Sequence, residues 1–290
     1  MPQAQNDSIT LEFDHFGDRS NPALLLIMGF GAQMTAWDEG FCRMLADAGL
    51  FVVRFDNRDC GLSSKTAGDP PDLMTLMGAA LMGQAIGDVP YTLADMAADA
   101  MSVLDALDIE QAHVAGASMG GMITQRVAIN HADRVLSMTS IMSTTGDRSV
   151  GQADPEAMAA LIAPPPAERD AIIEHGVKLT KVISGPLFDE QKARRRAIET
   201  YERSFYPQGA PFQMAAILSD GDRTEELNQL DVPALVIHGA ADRLITPSGG
   251  EATAAAIPGA TLLVLDQMGH DLPEPLWPQM IAAMVEVAGI

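Results

Sequence analysis

The sequence predicts an α/β fold: a mostly parallel, doubly wound sheet with an inserted helical cap. Three observations carry that reading. Short continuous apolar runs alternate with segments of helical period along most of the chain. The alternation breaks off between about residues 146 and 222, where helical segments and proline-rich turns occur without a convincing strand. A serine stands between two glycines at a junction of apolar run and helical pattern, in GASMG at 116–120.

The elements follow in order. Residues 8–18 (SITLEFDHFGD) alternate and end in turn residues, as an early hairpin strand does. Residues 23–29 (ALLLIMG) form a continuous apolar run, the pattern of a strand buried on both faces. A helix is expected at 34–49, closed by a glycine, and a second buried strand at 51–56. The segment 92–109 reads as a helix capped by Thr92 with Asp95 three residues on. Then come a strand at 112–118, a helix at 119–131 and a strand at 135–143. After the break, strands are expected at 234–239 and 261–266, with a helix from about Pro247 and a closing helix at 277–289. The domain reading is a core of 1–145 and 223–290 with a cap at 146–222. A smaller Met/Leu-rich insertion at 72–88 reads either as a helix packed on the body or as an adaptable apolar wall beside a substrate.

Composition narrows the function classes. The chain has 290 residues, 47% of them hydrophobic and 20% charged, which fits a globular protein. A net charge of -21 repels nucleic acid and anionic lipid, so neither is expected as a partner. No apolar stretch is long enough to span a membrane, and the first residues show no secretory pattern. Cys42 and Cys60 read as reduced thiols of a cytoplasmic protein. The one basic run, KARRRAIETYER at 192–203, is interleaved with Glu199 and Glu202 and reads as a solvated helix face rather than an anion site.

The chemistry centres on Ser118. A strand ending at the serine and a helix beginning just after it force a sharp turn that lifts the hydroxyl above the sheet, and Gly116 and Gly120 keep that turn free of collisions. Because a serine hydroxyl is a weak nucleophile at neutral pH, it needs a base, and the base needs an orienting acid. Of six histidines, His113 reads as packed in a strand, His131 as a helix terminus, His15 and His175 as solvated, and His238 as structural. His270 lies in the loop after the last strand, on the active face of an open parallel sheet, and is the expected base. Asp242, in the loop after the penultimate strand, is the expected acid, with Asp147, Asp266 and Asp271 as rivals. Backbone N–H groups of Met119 and Phe30 are expected to form an oxyanion hole, with Gly31 in reserve, and Gly29, Phe30 and Met119 to contact substrate. A dinucleotide reading of GFGAQM with Asp56 fails because Met34 occupies the third glycine position. No phosphate-loop motif and no metal-ligand spacing is present in the sequence, so neither cofactor nor metal is expected.

The segments IMGFG (27–31), FDNRDCGLSS (55–64), YTLADMAADA (91–100), GASMGG (116–121), VIHGAADRLITP (236–247) and MGHDLP (268–273) together resemble the α/β-hydrolase fold superfamily. Among its members the chain is most similar to capped, esterase-like, aclacinomycin methylesterase-like proteins. One departure is Met28-Gly29, where most relatives carry His-Gly. The resemblance implies a serine, aspartate and histidine triad at Ser118, Asp242 and His270, and a serine carboxylesterase acting on a small or medium, partly hydrophobic ester. Alternatives on the same residues are a C–C bond hydrolase, an acyltransferase and a cofactor-free perhydrolase. A ligand receptor on the same fold is the non-enzymatic alternative. A homo-oligomer is compatible with the sequence.

Overall fold

The computed structural model describes residues 2–290. Eight strands form one sheet: β1 (Gln3–Asn6), β2 (Ile9–Phe16), β3 (Ala23–Ile27), β4 (Phe51–Phe55), β5 (Ala112–Ala117), β6 (Val135–Ile141), β7 (Ala234–Gly239) and β8 (Thr261–Leu265). Their spatial order is β1-β2-β4-β3-β5-β6-β7-β8. The pairs β1/β2 and β2/β4 are antiparallel, and every pair from β4 to β8 is parallel. From β3 the chain steps outward to β4 and then returns to the other side as β5. The loops leaving β3 and β5 therefore diverge and open a crevice between them, the place where open parallel sheets bind ligands.

Every residue of β3, β4, β5 and β7 is buried, which explains their unbroken apolar runs. The two-residue period of a strand divides them between two cores. Leu25 and Ile27 of β3 join one cluster, and Leu24 and Leu26 join the other. The first cluster is closed by α3 (Leu93–Asp105) and α4 (Met119–Asn130); the second by α1 (Glu39–Asp47) and α11 (Trp277–Ala288). The expected Thr92 cap of α3 is a reciprocal capping box with Asp95. The one charge in β4, Arg54, is met by both oxygens of Asp14 on β2 at 2.7 and 2.8 Å, so a buried cation sits in a bidentate pair.

Between β6 and β7 the chain forms α5 (Pro155–Ile162), α6 (Arg169–Ile183), α7 (Glu190–Arg203), α8 (Gly209–Asp220) and the short α9 (Thr224–Leu227). No strand interrupts them. α8 and α9 differ from the others in that Phe212 and Ala216 of α8 and Leu227 of α9 belong to the core beneath the sheet. The segment expected at 72–88 contains α2 (Leu73–Leu81), which lies against α8 and contributes no residue to the large cavity described below. No residue of α2 is buried. Met74 and Leu81 face solvent. The remaining helix, α10 (Ser248–Ala256), covers β7 and β8.

Candidate active site

Ser118 occupies the turn from β5 to α4 with φ 59° and ψ -122°, a left-handed conformation that strains a residue with a side chain. Its neighbours explain why the turn is tolerated. A Cβ on Gly116 would lie 2.0 Å from Gly120 O, and one on Gly120 would lie 2.1 Å from Ile27 O. Ser118 N donates to Ile141 O at 2.9 Å, and the Ser143 hydroxyl donates to Ser118 O at 2.8 Å, so the turn is held from β6 and the residues after it.

His270 Nε2 is 2.9 Å from Ser118 Oγ, and His270 Nδ1 is 2.8 Å from Asp242 Oδ2. Residues 118, 242 and 270, on three loops at the same sheet edge, form one continuous hydrogen-bonded chain. Asp242 is buried, and its other oxygen accepts from Leu244 N at 2.8 Å and Ile245 N at 3.0 Å, which fixes the carboxylate's direction. His270 N donates to Ile183 O at the end of α6 at 2.8 Å. There the two backbones touch: a Cβ on Gly269 would lie 2.2 Å from Gly185 N. The helices between β6 and β7 thus brace the histidine loop.

None of the rival acids bonds to His270: Asp266 is exposed, and Asp271, although it lines the cavity, is turned to the backbone. Asp271 accepts from Gly269 N at 3.0 Å, and burial pushes its carboxyl above the usual range although Ser184 and Gly185 also bond to it. Asp147 is at the surface, where it holds the Ser149 N–H and hydroxyl. Among the other histidines, His113 is buried against the Ser137 hydroxyl at 2.8 Å. His238 is fully buried with Nε2 2.8 Å from Ile245 O, close under Asp242. Burial holds both rings below the ordinary imidazole value. The solvated reading of His175 is corrected: it is half-buried and lines the cavity.

The β3 loop passes directly above Ser118, where a Cβ on Gly29 would lie 2.8 Å from Ala117 O. Neither the Phe30 N–H nor the Met119 N–H has a hydrogen-bond partner among the described residues. Gly31, the reserve donor, is already engaged: its N–H donates to Gln213 Oε1 at 2.8 Å. Gln213, fully buried on α8, also donates to Arg58 O at 2.9 Å, while Asn57 donates to Met28 O at 2.7 Å. These two amides set the path of the loop; Asn57 falls within the FDNRDCGLSS segment, and no sequence motif points to Gln213. Asp56, the dismissed ribose ligand, is a buried hub. It accepts from Met34 N at 2.7 Å and Leu62 N at 2.9 Å and pairs with Arg203 of α7 at 2.7 Å.

The chain of three residues opens into a cavity of about 910 Å³ between the sheet edge and helices α6 and α7. Ser118, His270, Gly29 and Phe30 line its floor, and Leu179, Phe188 and Ala197 line its roof. The roof includes one face of the basic run. Arg195, Glu199 and Glu202 are exposed as expected, but Lys192 and Arg196 are half-buried and line the cavity, which corrects the purely solvated reading of 192–203. Such a site, with a nucleophile type, a base, an orienting acid and paired N–H donors around an apolar chamber, fits acyl-transfer chemistry.

Comparison with known proteins agrees with the fold. The alpha/beta hydrolase fold family profile matches residues 22–274, and the chain belongs to that family. The chain is 29% identical to rhodomycin D methylesterase of Streptomyces peucetius, over 96% of this chain and 95% of that protein. It is 24% identical to 3-oxoadipate enol-lactonase 2 of Acinetobacter baylyi, over 89% of this chain and 85% of the other. Among solved structures, the meta-cleavage product hydrolase of Pseudomonas fluorescens superposes with a TM-score of 0.76 at 18% identity, covering 100% of this chain and 97% of that one.

Proposed function

We propose that the protein is a serine hydrolase that cleaves a carboxylic ester of a small molecule through an acyl-enzyme intermediate. The observation that carries this reading is the continuous hydrogen-bonded chain Ser118–His270–Asp242 at the floor of an apolar cavity. The methylesterase relative, matched over nearly the whole of both chains, supports it.

In this reading His270 takes the Ser118 proton at Nε2 as Oγ attacks the ester carbonyl. Asp242 holds Nδ1–H, which sets the tautomer, and it stabilises the imidazolium that forms. The partnerless N–H groups of Phe30 and Met119 receive the oxyanion, helped by the N-terminus of α4. His270 then delivers its proton to the departing alcohol. Water enters by the same route, loses a proton to His270 and frees the acid. Gly29, Phe30 and Met119 flank the reacting carbonyl. Within residues 146–222, α6 and α7 act as the cap that encloses the substrate, while 1–145 and 223–290, joined by the buried face of α8, form the core. A panel of nitrophenyl esters with lengthening acyl chains, run beside a bulky methyl ester, tests the reading. Hydrolysis that disappears in Ser118→Ala is expected; equal turnover by that variant overturns it.

C–C bond hydrolysis on the same residues is the second reading. It is favoured by 27% identity, over 58% of this chain and 58% of the other protein, to a 2-hydroxy-6-oxononadienedioate/2-hydroxy-6-oxononatrienedioate hydrolase of Cupriavidus pinatubonensis. Turnover of a vinylogous diketone faster than of any ester would favour it.

A further inference from the structure

Two cations line the cavity, and they are not equivalent. Lys192 lies 3.1 Å from Asp38 and 3.0 Å from Glu274, and its ammonium sits over the Trp277 ring at 4.3 Å. Its charge is balanced, and it ties α7 to the body. Arg196, one turn further along α7, makes no hydrogen bond among the described residues. Its nearest carboxylate oxygen is Asp38 Oδ2 at 3.7 Å, the oxygen that Lys192 already holds. Of the other arginines of the same helix, Arg194 pairs with Glu174 and Arg203 with Asp56 and Gln33, while Arg195 is exposed to water and lines no part of the cavity.

A guanidinium has five donors in a fixed planar fork, and leaving them idle in a partly desolvated, mostly apolar chamber is costly. The acids nearby do not relieve it. Asp271 is directed to the backbone of residues 185 and 269, and Glu274 is paired with Lys192. What matches the fork is a carboxylate brought by the ligand, bound through two parallel hydrogen bonds.

We propose that Arg196 is a specificity-determining residue that receives a carboxylate of the substrate, so that the ester bears an acid group at the far end of an apolar stretch from its scissile bond. This rests on the esterase reading above and names the substrate class for it. The apolar stretch runs along Leu179, Phe188 and Ala197, and the acid end docks against α7.

The test pairs mono-nitrophenyl esters of dicarboxylic acids, in a series of lengths, with nitrophenyl alkanoates of equal length at low salt. One charge-assisted bidentate contact gives the half-ester of best length about a tenfold or greater advantage in kcat/KM, expressed in KM. Arg196→Gln should bring the two esters to within about twofold, and Arg196→Lys should restore part of the gap, since an ammonium keeps the charge but not the fork. Absence of a preference at every length, or a preference unchanged in Arg196→Gln, overturns the proposal. Titration calorimetry with the matching dicarboxylic acid, on the wild type and Arg196→Gln, separates the two layers. Arg196-dependent binding without turnover of any ester leaves the anion site standing and removes the esterase reading. Turnover of esters with no effect of charge does the reverse.

Discussion

At Ser118 the backbone adopts a conformation that only glycine takes freely, and it does so because the residues around it leave no alternative. Gly116 and Gly120 clear the turn, while Ile141 O and the Ser143 hydroxyl hold it. The strain is maintained by the packing of β5, β6 and α4 and aims the hydroxyl at His270. Ser118→Ala should reduce kcat by about 10⁴-fold or more while leaving the melting temperature close to the wild type. Gln213 acts one layer back, through the Gly31 N–H and the Arg58 carbonyl. As a positioning residue it should show a split effect. Gln213→Leu is expected to lower kcat by about 10- to 100-fold, less than the roughly 10²- to 10³-fold cost of removing an oxyanion donor outright because the donor is misaligned and not lost, with KM little changed. An equal fall in KM-linked binding with unaltered kcat would assign Gln213 to structure alone. Ser118, His270 and Asp242 were legible because each falls at a strand end within a short pattern. Gln213 was not, since a buried amide that bonds two backbone groups leaves no local signature.

Among the elements, legibility followed burial. The strands β3, β4, β5 and β7 are covered on both faces, so their apolar runs announce them. β1 is different. Its sequence, Gln-Ala-Gln-Asn, has no periodic apolar signal, and it exists as an edge strand because β2 offers it a partner. α7 misleads in the opposite sense: its composition is that of a solvated helix, yet a face of it closes a cavity, and only the tertiary placement of α6 and α7 decides which arginines meet water. The helical segments of 155–220 were expected, but not that α8 would send Phe212 and Ala216 into the core. The β5–α4 element depends on backbone contact with β3. Gly120→Ala should destabilise the protein by about 3 kcal/mol or more, because its Cβ would lie 2.1 Å from Ile27 O, a backbone atom fixed in the sheet centre. Chemical denaturation checks this, and a variant within 1 kcal/mol of the wild type, on the scale of about ±0.5 kcal/mol typical of neutral surface changes, would show that β3 and α4 can separate.

For the molecule as a whole, two buried histidines couple stability to pH. His113 and His238 are held below the ordinary imidazole value by burial, so between that value, about 6.5, and their folded-state values the unfolded chain binds more protons than the native one. Their stabilising contribution is full above about pH 6.5 and is lost as pH falls, with each histidine adding a slope of up to about 1.4 kcal/mol per pH unit. The melting temperature should therefore decline from pH 7 toward about 5.5. His113→Asn, which retains a polar atom toward Ser137, should decline less steeply. Parallel profiles would show that His113 does not contribute.

The two layers meet at one place: the sheet holds Ser118 and Asp242, the helices above brace His270, and the loop over β3 is held from α8 by Gln213. The central claim is that this meeting makes a serine hydroxyl nucleophilic. Intact-mass measurement after exposure to a fluorophosphonate at neutral pH tests it most directly. One adduct, mapped to residue 118, should form rapidly on the wild type, be absent from Ser118→Ala and form about 10³-fold or more slowly on His270→Gln. A wild-type chain that remains unmodified, or a His270→Gln chain labelled at the wild-type rate, would contradict the account.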